Sequence, residues 1–125
     1  MKQKEFSSTL EMTDSDIGIC TDSEEVKILN FIDPNRTTVA VQGLGFVGSA
    51  MVGALANCRD ANDQPAYNII GVDLADDENI WKIKRVNEGL PPVVSSDANL
   101  ELAYKNAFKQ KNVMATYSSE AYHYA

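Results

Sequence analysis

Residues 38–48 read Thr-Val-Ala-Val-Gln-Gly-Leu-Gly-Phe-Val-Gly, an apolar strand pattern that runs into a glycine-rich turn. Gly43 permits a tight turn, Gly45 lets the backbone approach a pyrophosphate, and Gly48 lets the following helix pack close to the strand. A helix that opens after Gly45 directs unpaired N–H groups and the positive end of its dipole at phosphates. The stretch predicts the start of a dinucleotide-binding βαβ unit, although an ordinary glycine-rich turn between strand and helix has the same pattern.

An acidic residue, Asp73, ends the second predicted strand, residues 68–73. A carboxylate at this position accepts both ribose hydroxyls of an adenosine and repels the additional phosphate of NADP, so the predicted cofactor is NAD. Asp73 lies 25 residues after Gly48, whereas the usual spacing is roughly 20. The excess falls in the polar stretch 57–67, which is predicted to be a lengthened surface loop. The alternative for Asp73 is a solvated turn residue.

The rest of the chain continues the alternation of helix and strand. Apolar spacing and capping residues predict helices over residues 79–87 and 97–110, a third strand over 112–116 and a short helix from residue 118. This alternation is typical of α/β folds with a parallel sheet. We expect a partial Rossmann-like sheet with flanking helices, in which strands near 38–42, 68–73 and 112–116 are ordered 3-2-1.

Residues 1–36 differ in composition from residues 37–125, and we divide the chain there. The stretch 1–22 is rich in Ser, Thr, Asp and Glu, which predicts either a flexible acidic extension or a strap that orders by docking. Residues 23–32 predict a short helix that could cover a flank of the sheet, ended by Asp33-Pro34. Residues 37–125 are then a truncated dinucleotide-binding domain.

Charge and cysteine content narrow the function class. A net charge of −7 and a pI near 4.5 argue against nucleic-acid and anionic-membrane partners. Cys20 and Cys58 have no metal-ligand spacing, so they are expected to be free thiols and no metal site is predicted. Because the sequence has no signal peptide or long apolar run, a cytoplasmic location is expected.

Three motifs together resemble the nucleotide-sugar dehydrogenase family, the UDP-glucose and GDP-mannose dehydrogenases. They are Gly-x-Gly-Phe-Val-Gly at 43–48, the strand ending Gly-Val-Asp at 71–73, and Lys-Ile-x-x-Val-Asn-x-Gly-x-x-Pro at 82–92. The last motif is the most discriminating, and the resemblance covers about residues 37–125. It implies oxidation of the C6 hydroxymethyl of a UDP-sugar, of the UDP-glucose type, to a carboxylate with two NAD. It further implies a nucleotide-sugar substrate, a role in polysaccharide biosynthesis and a homo-oligomeric parent enzyme.

The same resemblance assigns cofactor contacts. It implies that the pyrophosphate is lined by Gly43, Gly45, Phe46, Val47 and Gly48. Asp73 and Lys82 would reach the adenosine ribose, with a solvated helix lysine as the alternative for Lys82.

No catalytic residue is predicted. The family uses a cysteine nucleophile with lysine, asparagine, aspartate, and threonine or glutamate partners beyond the third strand, and we expect this chain to stop before them. Cys58 matches no family motif, and His123 lacks the third group that would orient a base, so neither is expected to act in catalysis. Trp81 and the tyrosines are interpreted as packing residues.

We therefore expect the NAD-binding N-terminal part of a nucleotide-sugar dehydrogenase that is inactive alone. We also expect it to self-associate through the open edge of its first strand. Two alternatives stay open: a stand-alone dinucleotide-binding or interaction module, and the N-terminal part of another NAD-dependent hydroxy-acid or sugar dehydrogenase.

Overall fold

A computed structural model of the protein describes residues 16–125. Within this range the strands are β1 (Thr37–Gln42), β2 (Tyr67–Val72) and β3 (Val113–Thr116). The helices are α1 (Asp16–Phe31), α2 (Phe46–Ala56), α3 (Ile80–Asn87) and α4 (Ala98–Gln110), followed by a 3₁₀ helix (Ser119–Tyr124). None of these described helices is long and apolar enough to cross a membrane.

The strands of the described range form one parallel sheet in the order β1-β2-β3. Read from the opposite edge this is the order 3-2-1, and each strand begins and ends within one residue of its predicted bounds. Val39 pairs with Ile69, which in turn pairs with Val113. The predicted three-stranded parallel sheet with flanking helices is confirmed.

The central strand β2 is apolar because the sheet is covered on both faces. Ile69 packs on one face in a core that includes Val52 of α2 and Tyr104 of α4. Ile70 points to the other face, where it meets Ile28 of α1. Burying one such aliphatic side chain contributes roughly 1.5–3 kcal/mol. Each face of the sheet therefore has its own core.

Helix α1 covers the face opposite to α2 and α4. The sequence predicts a helix over residues 23–32, and the helix found there begins earlier in the chain. Where it ends, the buried side chain of Asn68 accepts the N–H of Asp33 at 3.3 Å and donates to its carbonyl oxygen at 2.9 Å. The part of the expected acidic extension before residue 16 lies outside the described residues.

The Asn-x-Gly-x-x-Pro motif joins the end of α3 to the outer edge of β3. The Asn87 side chain donates to the carbonyl oxygen of Ala115 at 3.0 Å and accepts its N–H at 2.8 Å, as a neighbouring strand would. Gly89 has φ +84°, and a Cβ there would lie 2.8 Å from Cγ of Phe108. These contacts of the motif hold α3, the helix that carries Lys82, against the sheet.

Two local predictions are also confirmed. Asp97 precedes α4, and its carboxylate accepts the N–H of Asn99 at 2.9 Å as an N-cap does. The lengthened connection predicted at 57–67 is a largely exposed loop up to residue 66, and β2 begins at Tyr67. Within the loop, Asp60 accepts the N–H of Asn62 at 2.8 Å.

Candidate functional site

A cleft of about 390 Å³ opens at the carboxyl ends of the strands. Open parallel sheets bind ligands at this edge. The cleft is lined by residues of the glycine turn, of the end of β2 and of the segment after β3: Gln42, Gly43, Val72, Asp73, Leu74, Tyr117, Ser119 and Tyr122. The glycine turn and Asp73, which are distant in sequence, therefore meet at one site.

Two glycines of the turn are required by the chain itself. Gly43 has φ +87°, a left-handed conformation that side chains rarely adopt, and its N–H donates to the carbonyl oxygen of Val72 at 2.8 Å. A Cβ on Gly48 would lie 1.8 Å from the carbonyl oxygen of Gly43. Any side chain at position 48 would therefore push α2 away from the turn.

Gly45 is different, because nothing in the described chain demands glycine there. Its backbone is extended, with φ −76° and ψ −163°, and a Cβ built on it would meet no atom within 4 Å. Gly45 is the N-cap of α2, and its carbonyl oxygen accepts the N–H of Ser49 at 2.8 Å. Phe46 and Val47, in the first turn of the helix, are largely exposed. A helix N-terminus that is open to solvent in this way can receive an anion through its backbone N–H groups.

The carboxylate of Asp73 is held at the end of β2 by the backbone. Its Oδ2 accepts the N–H of Leu44 at 2.9 Å, and its Oδ1 accepts the N–H of Leu74 at 2.7 Å. The Asp73 side chain is only 11% exposed. Because an ionised carboxylate has about four acceptor positions, about two remain for hydroxyl donors.

Lys82 reaches the same carboxylate from α3. Its Nζ lies 3.9 Å from Oδ2 of Asp73 and donates to Oδ1 of Asn79 at 2.9 Å. The ring of Trp81 lies 6.0 Å from the same Nζ, and its indole N–H donates to the carbonyl oxygen of Glu78 at 2.7 Å. Lys82 thus points into the site and is not a freely solvated helix lysine.

The tyrosines divide into two groups. Tyr104 is a packing residue, fully buried, and its hydroxyl donates to the carbonyl oxygen of Ser49 at 2.8 Å. Tyr117 and Tyr122 instead line the cleft and are half-exposed, so the interpretation of all tyrosines as packing is wrong for these two. Their place after β3, at the carboxyl edge of the sheet, is the signal that could have identified them.

Neither Cys58 nor His123 is among the residues that line the cleft, although His123 directly follows Tyr122, which does line it. Cys58 is an exposed free thiol just after α2, and its carbonyl oxygen accepts the N–H of Ala66 at the start of β2, the edge opposite to the cleft. His123 is exposed and lies 3.8 Å from a carboxylate oxygen of Glu120. The side chain of Cys20 lies outside the described part of the chain. Among the described residues, no group of three or more His, Cys, Asp or Glu could hold a metal ion.

The fold is similar to that of a solved protein, an NDP-N-acetyl-D-galactosaminuronic acid dehydrogenase from Methanosarcina mazei Go1. The TM-score is 0.54 at 23% sequence identity, and the match covers 73% of this chain and 18% of that protein. This similarity supports the Rossmann-like fold, and the neighbour is a nucleotide-sugar dehydrogenase, the class that the motifs resemble. No protein-family model matches the sequence, and no curated protein matches it.

Proposed function

We propose that this chain binds NAD and is the cofactor-binding part of a nucleotide-sugar dehydrogenase of the UDP-glucose 6-dehydrogenase type. The observation that carries the proposal is the open approach to Gly45, beside a carboxylate with free acceptor positions at the carboxyl edge of the sheet. The fold of a solved sugar dehydrogenase supports an oxidoreductase parent.

The proposed binding mode follows from the donors and acceptors of the site. Backbone N–H groups at the start of α2, at Phe46 and Val47, would donate to the pyrophosphate between Gly43 and Gly48. Asp73 would accept the two hydroxyls of the adenosine ribose. The adenine would lie in the cleft described above, where aromatic side chains form one wall.

When bound, NAD supplies the hydride acceptor for oxidation of the sugar, and the residues described here bind and orient it. Covalent catalysis needs an activated nucleophile with a neighbouring base. Cys58 lies at the opposite end of the sheet from the cleft, and no cysteine of the described chain stands beside His123 to act as a nucleophile. We therefore propose that the chain by itself has no dehydrogenase activity. The UDP-sugar substrate, the homo-oligomeric parent, the cytoplasmic location and the role in polysaccharide biosynthesis belong to the same proposal.

A binding titration tests the cofactor assignment. NAD added to the chain should change the fluorescence of Trp81, the single tryptophan, because its ring lies beside Lys82 at the ribose site. Calorimetry should show saturable binding of NAD to the unaltered chain, and the Asp73→Ala variant should bind NAD with lower affinity. Lys84→Met, which alters an exposed lysine on α3, the helix that carries Trp81, serves as a control and should bind NAD as the unaltered chain does.

Two outcomes contradict the proposal. Absence of saturable NAD binding to the unaltered chain would refute the assignment of NAD as the cofactor. Sustained NADH absorbance with UDP-glucose and NAD would instead show that the chain has catalytic groups that its motifs do not identify.

A further inference from the structure

We propose that helix α1 belongs to the dinucleotide site, because its carboxylates at Glu24 and Glu25 hold the segment that forms one wall of the cleft. The inference rests on the proposed dinucleotide function and deepens it. Neither glutamate lines the cleft, so both are positioning residues that act on the ligand through this wall. Helix α1 ends before the three motifs that resemble the dehydrogenase family, and those motifs assign it no role.

The wall is the segment that follows β3, residues 117–124, and we call it the cleft wall. Tyr117, Ser119 and Tyr122 line the cleft. Most of the segment is the 3₁₀ helix Ser119–Tyr124. Hydrogen bonds within 3₁₀ helices have poorer geometry than those within α-helices. The position of the cleft wall therefore depends on its contacts with other elements.

Glu24 holds the start of the cleft wall through Thr116, the last residue of β3. The Thr116 hydroxyl donates to Oε1 of Glu24 at 2.6 Å and accepts the N–H of Ser118 at 3.1 Å. Thr116 and Glu24 are both buried, and hydrogen bonds are electrostatically stronger in the protein interior than in water. A hydroxyl that donates to a carboxylate is also polarised into a better acceptor. The Glu24 carboxylate thus fixes the backbone where the cleft wall leaves the sheet.

Glu25 holds the other end of the cleft wall. The Tyr124 hydroxyl donates to Oε2 of Glu25 at 3.0 Å. Between the two ends, Ala121 is fully buried in the same core as Ile28 of α1 and Ile70 of β2. Helix α1 therefore contacts the cleft wall at its start, its middle and its end.

The cleft wall has few other fixed contacts. Among the described residues, the hydrogen bonds that leave it go to Thr116 and Glu25. The others are internal, such as the one from the N–H of Glu120 to the Ser118 hydroxyl at 3.2 Å. Ordering a side chain at the moment of binding costs free energy. By holding the cleft wall in place beforehand, α1 lowers this cost for the aromatic side chains that line the cleft.

Docking of α1 and binding of the dinucleotide should therefore favour each other. A ligand that binds against the ordered cleft wall stabilises the docked state of α1, and docked α1 raises the affinity for the ligand by the same factor. This coupling needs no contact between α1 and the ligand. It predicts a response of α1 to NAD in the unaltered chain, and a response of the NAD affinity to changes in α1.

Hydrogen exchange of the unaltered chain with and without NAD tests the first response. NAD should slow the exchange of amides at residues 24–31 of α1 more than that of amides in α4, which packs on the other face of the sheet. A ligand that merely stabilises the folded chain slows exchange in both helices, so α4 is the internal control. An α1 that responds no more than α4 overturns the inference.

A double-variant cycle followed by calorimetry tests the second response. Glu24→Ala and Thr116→Val should each lower the affinity for NAD about threefold to tenfold, the effect of about one hydrogen bond. The double variant should bind no more weakly than the weaker of the two single variants, because both residues act through one bond. Glu24→Gln keeps an acceptor for the Thr116 hydroxyl and should restore most of the affinity. Lys27→Met, the control, removes the exposed partner of Glu24 at 3.0 Å and should bind NAD as the unaltered chain does.

All affinities are compared at a temperature at which circular dichroism shows each variant to be folded. Losses that add in the double variant, or a Glu24→Gln that binds as weakly as Glu24→Ala, would give Glu24 a general role in folding and overturn the inference. If Glu24→Ala does not fold, Glu25→Ala takes its place, with Tyr124→Phe as its partner in the cycle.

Failure of the proposed function looks different, because the unaltered chain would then bind no NAD. The hold of α1 on the cleft wall is still measured in that case. Glu24→Ala should speed hydrogen exchange at residues 117–124 and leave exchange in α4 unchanged. A cleft wall that exchanges as it does in the unaltered chain would show that Glu24 does not hold it.

Discussion

Adding one methyl group to Gly48 or to Gly45 should have opposite consequences, although the two residues are three positions apart. At Gly48 a Cβ would lie 1.8 Å from a backbone carbonyl oxygen, whereas real Cβ atoms essentially never come within 3.0 Å of another heavy atom. Helix α2 would have to retreat by more than about 1 Å. Overpacking of this kind costs about 1–3 kcal/mol or more. We expect Gly48→Ala to cost about 3 kcal/mol or more, because a backbone carbonyl cannot rotate away as a side chain can.

Gly45→Ala should leave the fold intact. Its backbone is extended and no atom lies within 4 Å of the added Cβ. The free energy of unfolding should change by less than about 1 kcal/mol, since alanine restricts the unfolded chain more than glycine does but is a poorer N-cap residue. NAD affinity should nevertheless fall about tenfold or more, because the methyl would occupy the approach of the pyrophosphate.

Urea denaturation followed by circular dichroism gives the free energy of unfolding, and calorimetry gives the NAD affinity. Each variant is the control for the other, since the chemical change is the same. A folded Gly45→Ala that binds NAD normally would refute the placement of the pyrophosphate at this turn. A Gly45→Ala as unstable as Gly48→Ala would refute the claim that the space above Gly45 is open.

Three further changes test the packing that supports the site. Asn87→Ala should destabilise the chain by about 1–2 kcal/mol in urea denaturation, because it removes both hydrogen bonds to the outer edge of Ala115. Burial raises the pKa of the Tyr104 phenol, although its hydrogen bond to Ser49 acts in the opposite direction. Because the folded chain keeps this phenol neutral, the free energy of unfolding should be highest below about pH 10 and should fall as the pH rises further. Tyr104→Phe should cost about 1 kcal/mol at neutral pH and weaken the loss of stability above pH 10 in a pH series of melts. Ile28→Ala, at a fully buried position of α1, should cost about 2–5 kcal/mol and lower the melting temperature, whereas an unchanged melting temperature would show that α1 is not part of the folded unit.

The strands could be predicted because burial on both faces favours an apolar run, such as residues 69–72 of β2. Their order could be predicted from the right-handed crossovers of alternating strands and helices. The glycine turn and Asp73 could be predicted for a related reason: the carboxyl ends of parallel strands meet at one edge. These features depend on local sequence and on one topological rule. They do not require knowledge of side-chain contacts between distant segments.

The rest of the site depends on such contacts. A lysine on a helix is ordinarily solvated, whereas the Lys82 ammonium donates to Asn79 at 2.9 Å and lies 3.9 Å from the Asp73 carboxylate. Tyr117 and Tyr122 line the cleft because the chain folds back across the sheet in a 3₁₀ helix. Short 3₁₀ segments have too weak a periodicity to fix that direction from sequence.

Helix α1 is linked to the carboxyl edge of the sheet by hydrogen bonds as well as by packing. The Thr116 hydroxyl donates to the buried carboxylate of Glu24 at 2.6 Å, and the Thr116 carbonyl oxygen accepts the N–H of Asp73 at 3.2 Å. Glu24 is itself paired with Lys27 at 3.0 Å. Undocking α1 would leave the Thr116 hydroxyl without this acceptor, at a cost of about 1–3 kcal/mol, next to Asp73. Helix α1 and the end of β2 at Asp73 therefore stabilise each other, although α1 precedes the glycine motif and belongs to neither of the helical crossovers of the sheet.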